Sequence, residues 1–355
     1  MQSAALQRGR ALITGGCGFI GSNLADALLR RGQDVAILDS LARPGSERNL
    51  IRLQKRYPGR FDFIKADIRD YDALVKAMAG VDVVFHLAAQ VAVTSSLNDP
   101  IQDFSINISG TLNVLEAART ANRRPGLIFA STNKVYGDLA DLKFSPASNG
   151  YRPANKDLAE VGINEDRPLQ FRTPYGCSKG AADQYVLDYG HSFGLNTVVF
   201  RMSCVYGPWQ MGNEDQGWVA HFAHRLSAGE PVTIYGDGLQ VRDLLYVDDA
   251  VRAYLAAWDQ LHRFNGAVFN LGGGPANAVS VETVLHAISE KIGRVPHIER
   301  AAWRKGDQLW YVTCPTKAML ALGLRPSLHW RSGLDQLLRW IAQDVSHREA
   351  VDALP

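Results

Sequence analysis

Tyr175 and Lys179 lie four residues apart in the segment Thr173-Pro174-Tyr175-Gly176-Cys177-Ser178-Lys179. Thr173 can cap a helix starting there and Pro174 suits its first turn, so the pair falls on one helical face. A phenol titrates near pH 10 and is a poor base at neutral pH, but a nearby ammonium favours the phenolate. Lowering its pKa by about three units takes ~4 kcal/mol, which one close charge in a dry cleft supplies. Such a phenolate can take a proton from an alcohol while hydride leaves the same carbon. Upstream, Ser131-Thr132 ends an apolar run at the place where open α/β sheets put their ligands, and Thr132 can hold the same hydroxyl. Taken alone, a Tyr-x-x-x-Lys pair is equally an ordinary helix face.

A second pattern gives the pair its meaning. Thr14-Gly15-Gly16-Cys17-Gly18-Phe19-Ile20-Gly21 follows a strand and opens a helix, and it carries glycines at both Gly16-x-Gly18-x-x-Gly21 and Gly15-x-x-Gly18-x-x-Gly21. Glycines there allow a tight turn, close approach to a pyrophosphate and tight helix–strand packing. The helix N-terminus adds free N–H groups facing the phosphates. Asp39 closes the next strand 18 residues after Gly21, where a carboxylate accepts both ribose hydroxyls and repels a 2′-phosphate. We read NAD rather than NADP, with Arg43 close by. Asp67-Ile68 follows another strand; the Asp either reaches the adenine amino group or caps the next helix. The small residues of Leu87-Ala88-Ala89-Gln90 let backbone lie against a cofactor, or serve close packing.

These groups need a scaffold. Arg10–Thr14, Asp34–Asp39, Phe61–Ala66, Val81–Leu87, Gly126–Ser131 and Gly194–Arg201 read as short buried strands, and Gly21–Arg31 and Asn107–Ala121 as helices between them. Such alternation implies an α/β fold, a doubly wound parallel (Rossmann) sheet covered by helices on both faces. After about Tyr206 the pattern loosens: Trp218–Ala228, Asp248–Gln260, Ser280–Ile292 and Gly333–Gln343 read as helices, and Pro231–Tyr235 as a strand. We expect residues 1–201 to form the dinucleotide-binding domain, with 240–265 returning to it. Residues 202–239 and 266–355 would form a smaller C-terminal substrate-binding lobe. Residues 138–172 read as a long aperiodic insertion, functional or mobile.

Across 355 residues, 38 Lys and Arg against 36 Asp and Glu leave a net charge of +2, so no nucleic-acid partner is implied. The apolar stretch Val81–Val93 is too short and too polar to span a bilayer, and Met1–Gly9 does not read as a signal peptide. Four dispersed cysteines fit a reducing cytoplasm and give no metal site.

Together these motifs resemble the extended short-chain dehydrogenase/reductase family, specifically its nucleotide-sugar epimerases and dehydratases. TGGCGFIGSN, HLAAQ, Asn107-Ile108-Ser109-Gly110-Thr111, Ser131-Thr132 with Val135-Tyr136-Gly137, and the Tyr175/Lys179 pair carry the likeness from Leu12 to about Trp340. The resemblance implies Thr132, Tyr175 and Lys179 as catalytic. It implies NAD contacts at Gly15, Gly18, Phe19, Ile20, Gly21, Asp39, Ser40, Arg43, Asp67, Ile68, Leu87–Gln90 and Asn107, besides Tyr175 and Lys179.

STNKVYGD (Ser131–Asp138), the Tyr175–Arg201 segment, DQGWV (Asp215–Val219) and QVRDLLYVDD (Gln240–Asp249) are similar to a subgroup of C2-epimerases that interconvert CDP-paratose and CDP-tyvelose. That likeness implies a CDP-linked deoxysugar substrate, oxidised at C2, turned in the site and reduced on its other face. The family's 4,6-dehydratases have Asp-Glu after the Ser/Thr, where Asn133-Lys134 stands here; many 4-epimerases have Asn in place of Cys204. The other readings kept open are a 4-epimerase, a 2-epimerase of another CDP-sugar, and a cofactor-sensing protein on the same fold. Arg242 and Arg304 match positions that grip the diphosphate, a role guanidinium geometry suits. Asn133, Lys134, Gln216, Trp218 and Asp307 are the remaining substrate candidates, and Gln308 a weaker one. Lys134 and Trp218 also read plainly as a solvated charge and a core residue. A homodimer or homotetramer is implied by the resemblance alone.

Overall fold

The computed structural model describes residues 9–352, with side chains through Asp344. Of the Met1–Gly9 stretch only Gly9 falls within it, and residues 353–355 of the expected lobe lie outside.

Seven parallel strands form the central sheet: β1 (Arg10–Thr14), β2 (Asp34–Asp39), β3 (Phe61–Lys65), β4 (Val83–His86), β5 (Gly126–Thr132), β6 (Thr197–Met202) and β7 (Ala267–Leu271), in the order β3-β2-β1-β4-β5-β6-β7. Strand order reverses between β1 and β4, which opens a crevice at the carboxyl ends of the strands. The inner strands are apolar on both sides because helices cover both faces. One face buries Leu24, Ala25, Leu28 and Leu29 of α1 (Phe19–Arg30) against Ile13 and Phe85. The other buries Val114 and Leu115 of α2 (Gly110–Thr120) and Val186 of α3 (Thr173–Phe193) against Leu12, Val84 and Phe129. Each fully buried leucine contributes about 1.5–3 kcal/mol relative to exposure.

α2 begins differently from the regular helix expected at Asn107. A π-turn over Ser105–Ser109 precedes it, and Gly110 opens the α-helix where an added Cβ would lie 2.5 Å from Ile68 Cδ1. α3 starts at Thr173, whose hydroxyl accepts the Gly176 N–H at 3.4 Å, a long form of the expected cap.

The chain returns to the sheet through α4 (Val247–Asp259), with Tyr254 packing its ring edgewise near Phe85 and Phe200 at 6.2 and 5.0 Å. Two boundaries shift. Ala267–Leu271, expected in the lobe, is sheet strand β7, because its apolar run pairs with β6 and sets Phe269 against Phe200. Val241–Tyr246, expected in the returning segment, belongs to the lobe sheet with Ala278–Ser280, Trp310–Tyr311 and Cys204–Tyr206. A second small pairing joins Val232–Tyr235 to Ile298–Ala301.

Residues 138–172 are not structureless. They hold a hairpin, Phe144–Ala147 with Gly150–Pro153, and a short helix, Lys156–Val161. Backbone bonds fix this strap to both parts of the molecule: Gln170 N–H to Val135 O, Ile163 N–H to Val312 O, and Cys314 N–H to Ile163 O, at 3.0, 2.7 and 2.8 Å. None of its residues lines the cleft described next.

Candidate active site

A cleft of about 840 Å³ runs along the carboxyl edge of the sheet and under the lobe. That size suits an extended small-molecule ligand. Its floor at one end is the glycine turn. Gly15 sits at φ +70°, and a Cβ there would meet Ala88 N at 2.6 Å; a Cβ on Gly21 would meet Gly15 O at 2.3 Å. Gly18 precedes α1 with no side-chain cap, so the first-turn N–H groups face the cleft without a protein acceptor from a capping side chain. Phe19, Ile20 and Ser40 also line this end.

Asp39 accepts the Cys17 and Leu41 N–H groups at 2.9 and 2.8 Å, which aims its carboxylate along the cleft, while burial raises its pKa above the ordinary carboxylate value. Arg43 lines the same end, its guanidinium pKa lowered by burial. A turn without Cβ atoms at Gly15, Gly18 and Gly21, a helix N-terminus and a carboxylate at the end of β2 fit a dinucleotide without a 2′-phosphate.

Asp67, Ile68, Leu87, Ala88 and Ala89 continue the wall. Asp67 does not cap the next helix. Asp70 does, accepting Ala73 N–H at 3.0 Å, while Asp67 is clamped at both oxygens by Arg69. Two expected cofactor contacts, Gln90 and Asn107, do not line the cleft. The Gln90 side chain closes on Ala92, and the buried Asn107 amide donates to Gln90 O, Asp103 Oδ1 and Ser178 Oγ. Asn107 thus ties the Leu87–Gln90 loop to α3 from behind.

At the middle of the cleft, Thr132, Tyr175 and Lys179 come together, each less than 10% exposed. Thr132 and Tyr175 line the cleft together, and Lys179 Nζ lies 4.1 Å from the Phe129 ring centroid. Behind them, Asp183 receives Ser131 Oγ at 2.7 Å and a bidentate Arg201 pair at 2.9 Å, wholly buried.

Burial dominates the electrostatics, contrary to the expected ammonium assistance. It pushes the Tyr175 phenol up to about 12, with the Thr132 hydroxyl lowering it and Asp103 raising it. It brings Lys179 down to about 7, against the pull of Asp183 and Asp103. Both groups are desolvated before they can help each other, so the phenolate needs further positive charge in the cleft. An oxidised nicotinamide carries such a charge.

The lobe wall is ionic. Arg242 donates to Asp307 Oδ1 at 2.7 Å, and Lys134 Nζ lies 3.8 Å from the same oxygen. Burial works against the Asp307 carboxylate, but Arg242 and Lys134 hold its pKa below the ordinary value. Burial, with Arg242, lowers Lys134 to about 8. Asn133 donates to Gln308 at 3.2 Å. Arg304 stacks 3.7 Å from the Tyr235 ring centroid and bonds Glu214 O, and Gln216 and Trp218 complete the wall. Met202, Ser203, Cys204 and Tyr235 also line the cleft, and of these sequence reasoning singled out only Cys204, as a departure from a pattern. Met202-Ser203 end β6, and the strand-end rule applied to Thr132 marks them equally.

Sheet, glycine turn and Thr-Tyr-Lys group together define a dinucleotide-dependent enzyme of the doubly wound α/β class. The family model described as "NAD dependent epimerase/dehydratase family" matches residues 11–272, and the chain belongs to that family, whose cofactor is NAD. It is 39% identical to CDP-paratose 2-epimerase of Salmonella typhi, over 93% of this chain and 98% of that protein. It is 34% identical to UDP-glucose 4-epimerase of Mycolicibacterium smegmatis, over 92% and 96%. Among solved structures, the UDP-glucose 4-epimerase of Thermus thermophilus in complex with NAD superposes with a TM-score of 0.79 at 35% identity, covering 94% of this chain and 99% of that one.

Proposed function

We propose that the protein epimerises a CDP-linked deoxysugar at C2, interconverting CDP-paratose and CDP-tyvelose through a 2-keto sugar. The chemistry supplied by bound NAD is reversible hydride exchange at the sugar carbon. Thr132 holds the reacting hydroxyl, and Tyr175 takes its proton as C2 becomes a ketone and returns it once the sugar has turned. Lys179 contributes its charge beneath the phenolate. Arg242 and Arg304 hold the diphosphate, with Gln216 and Trp218 beside the sugar.

The observation that carries this reading is the pair following Thr132. Removing water from the sugar needs both an acid and a base beside the ketone, but the Asn133 amide is neither at neutral pH, and Lys134, held between Asp307 and Gln308, is a single group that cannot be both. A reversible oxidation with no elimination remains. The CDP-paratose 2-epimerase relative supports C2 and the cytidine nucleotide.

Proton NMR of the purified protein with CDP-paratose, and with CDP-glucose and UDP-glucose in parallel, tests it without added NAD. Change confined to the C1–C2 coupling of CDP-paratose is expected. Inversion at C4 of UDP-glucose would make the protein a 4-epimerase, and no change even with NAD supplied would overturn the reading.

We also propose a homodimer or homotetramer working in a reducing cytoplasm. Leu97, Ile101, Phe104 and Tyr185 are exposed on helices that touch one another, and all four cysteines are free. Among the described residues no helix is long and apolar enough to cross a membrane. Sedimentation of Ile101→Glu should show monomer where the wild type shows oligomer.

A further inference from the structure

Gln308 is wholly buried and lies behind the cleft wall. Its Oε1 receives Asn133 Nδ2 at 3.2 Å and Lys134 Nζ at 3.4 Å, and its Nε2 donates to Gly137 O at 2.6 Å. Its backbone N–H donates to Asp307 Oδ1 at 3.0 Å, the oxygen that Arg242 holds. An ammonium can only donate, so the Gln308 amide has one orientation: oxygen toward Lys134, nitrogen toward Gly137. That orientation fixes the Asn133 amide in turn. With its nitrogen committed to Gln308, Asn133 presents Oδ1 to the Thr132 hydroxyl, 3.4 Å away.

We infer that Gln308 is the positioning residue of the active site, orienting Asn133 and Lys134 beside Thr132 and holding the Arg242–Asp307 wall in register with the end of β5. Its three side-chain bonds cross from the lobe segment to the turn that follows Thr132, and its backbone N–H holds the adjacent Asp307 carboxylate that frames the cleft. Gln308 does not touch the substrate itself. Its effect falls on the step in which Thr132 and Tyr175 handle the hydroxyl proton, and less on the affinity for the diphosphate. Small displacements of such groups cost rate steeply. In its choice of substrate this inference rests on the function proposed above.

Gln308→Met keeps the length and removes every side-chain bond. We expect kcat for CDP-paratose to fall 10- to 100-fold, KM to stay within threefold, and bound NAD to be retained. Gln308→Glu supplies the finer test. Only a protonated carboxyl can accept from Asn133 and Lys134 and also donate to Gly137 O. Its kcat should therefore approach wild type at low pH and drop as the carboxyl ionises, a limb absent from the wild-type and Met profiles. A Met variant with wild-type kcat, or equal and pH-independent losses in both variants, would overturn the assignment.

A carbon-13 NMR titration of the Lys134 side chain in the NAD-loaded protein needs no turnover and so separates this inference from the choice of substrate. Loss of the Oε1 acceptor should lower the Lys134 pKa in Gln308→Met, and an unchanged titration would count against the inference even if the enzyme used a different sugar.

Discussion

Tyr175 and Arg242 face the same cleft, yet they are held there by different means. Tyr175 rides on a 21-residue helix packed on a sheet whose inner strands are buried on both faces, so apolar burial and backbone geometry set its position. Arg242 leaves a short strand in a small mixed sheet, and its guanidinium is placed by Asp307, which also draws in Lys134 and the Gln308 N–H. The sheet wall puts its groups where chemistry requires them, while the lobe wall is a polar lattice that a charged ligand can engage. Chemistry and binding should therefore separate between Tyr175 and Arg242 when each is changed, Gln308 being the lobe residue tied across to the turn after Thr132.

The strongest test of that separation is Tyr175→Phe. Turnover should fall by about 10³-fold, the scale of a lost acid–base group, with NAD still bound. Steady-state kinetics and cofactor absorbance would check it; substantial turnover would place the proton transfer elsewhere.

The sheet wall also carries a larger stability cost than the lobe wall, where burial lowers Lys134 less far, to about 8. Burial lowers Lys179 from its ordinary 10.5 to about 7. Below pH 7 both folded and unfolded chains carry the proton, and the folded chain bears the full cost of a buried ammonium. Between pH 7 and 10.5 the unfolded chain holds the proton and the folded chain sheds it, so wild-type stability rises with pH. Lys179→Met should therefore stabilise the protein most below pH 7, by on the order of 5 kcal/mol, with the gain fading toward pH 10.5. Urea titrations across this range would show it, and a gap constant with pH would refute it.

On the lobe wall, Arg242→Ala should raise KM for the nucleotide sugar about 10- to 100-fold, the worth of one charge-assisted contact, with kcat within about threefold. A collapse of kcat instead would erase the distinction between the walls. The smallest effect belongs outside both. Asp70→Ala removes a helix cap and should cost about 1 kcal/mol of stability, leaving kinetics alone.

The same contrast explains what could be read from sequence. The glycine turn, Asp39 and the Tyr175–Lys179 spacing were legible because each is a local pattern with a local consequence: a turn, a strand end, one face of a helix. Six of the seven sheet strands were legible from their short apolar runs. β7 was not, since the run Ala267–Leu271 follows a helix far along the chain and nothing local says which sheet it joins. Gln90 and Asn107 were assigned to the cofactor through the family resemblance of HLAAQ and the Asn107–Thr111 motif, and only the fold shows their amides turned to the loop and α3. The burial of Tyr175 and Lys179 was likewise out of reach. Spacing gives proximity, but the desolvation that outweighs it depends on Phe129 and on helices distant in sequence. Gln308 was no more than a weak candidate, because its partners lie more than 170 residues away.

The strap formed by residues 138–172 has a consequence for how the molecule comes apart. It holds Val135, beside the catalytic strand, and Val312 and Cys314, deep in the lobe, within one run of backbone bonds, and Glu165 takes the N–H of Asn270 in β7. The chain also passes between sheet and lobe on either side of α4 and again after β7. Neither part can melt while the other keeps its strands paired, so heating should give one calorimetric transition whose van't Hoff and calorimetric enthalpies agree.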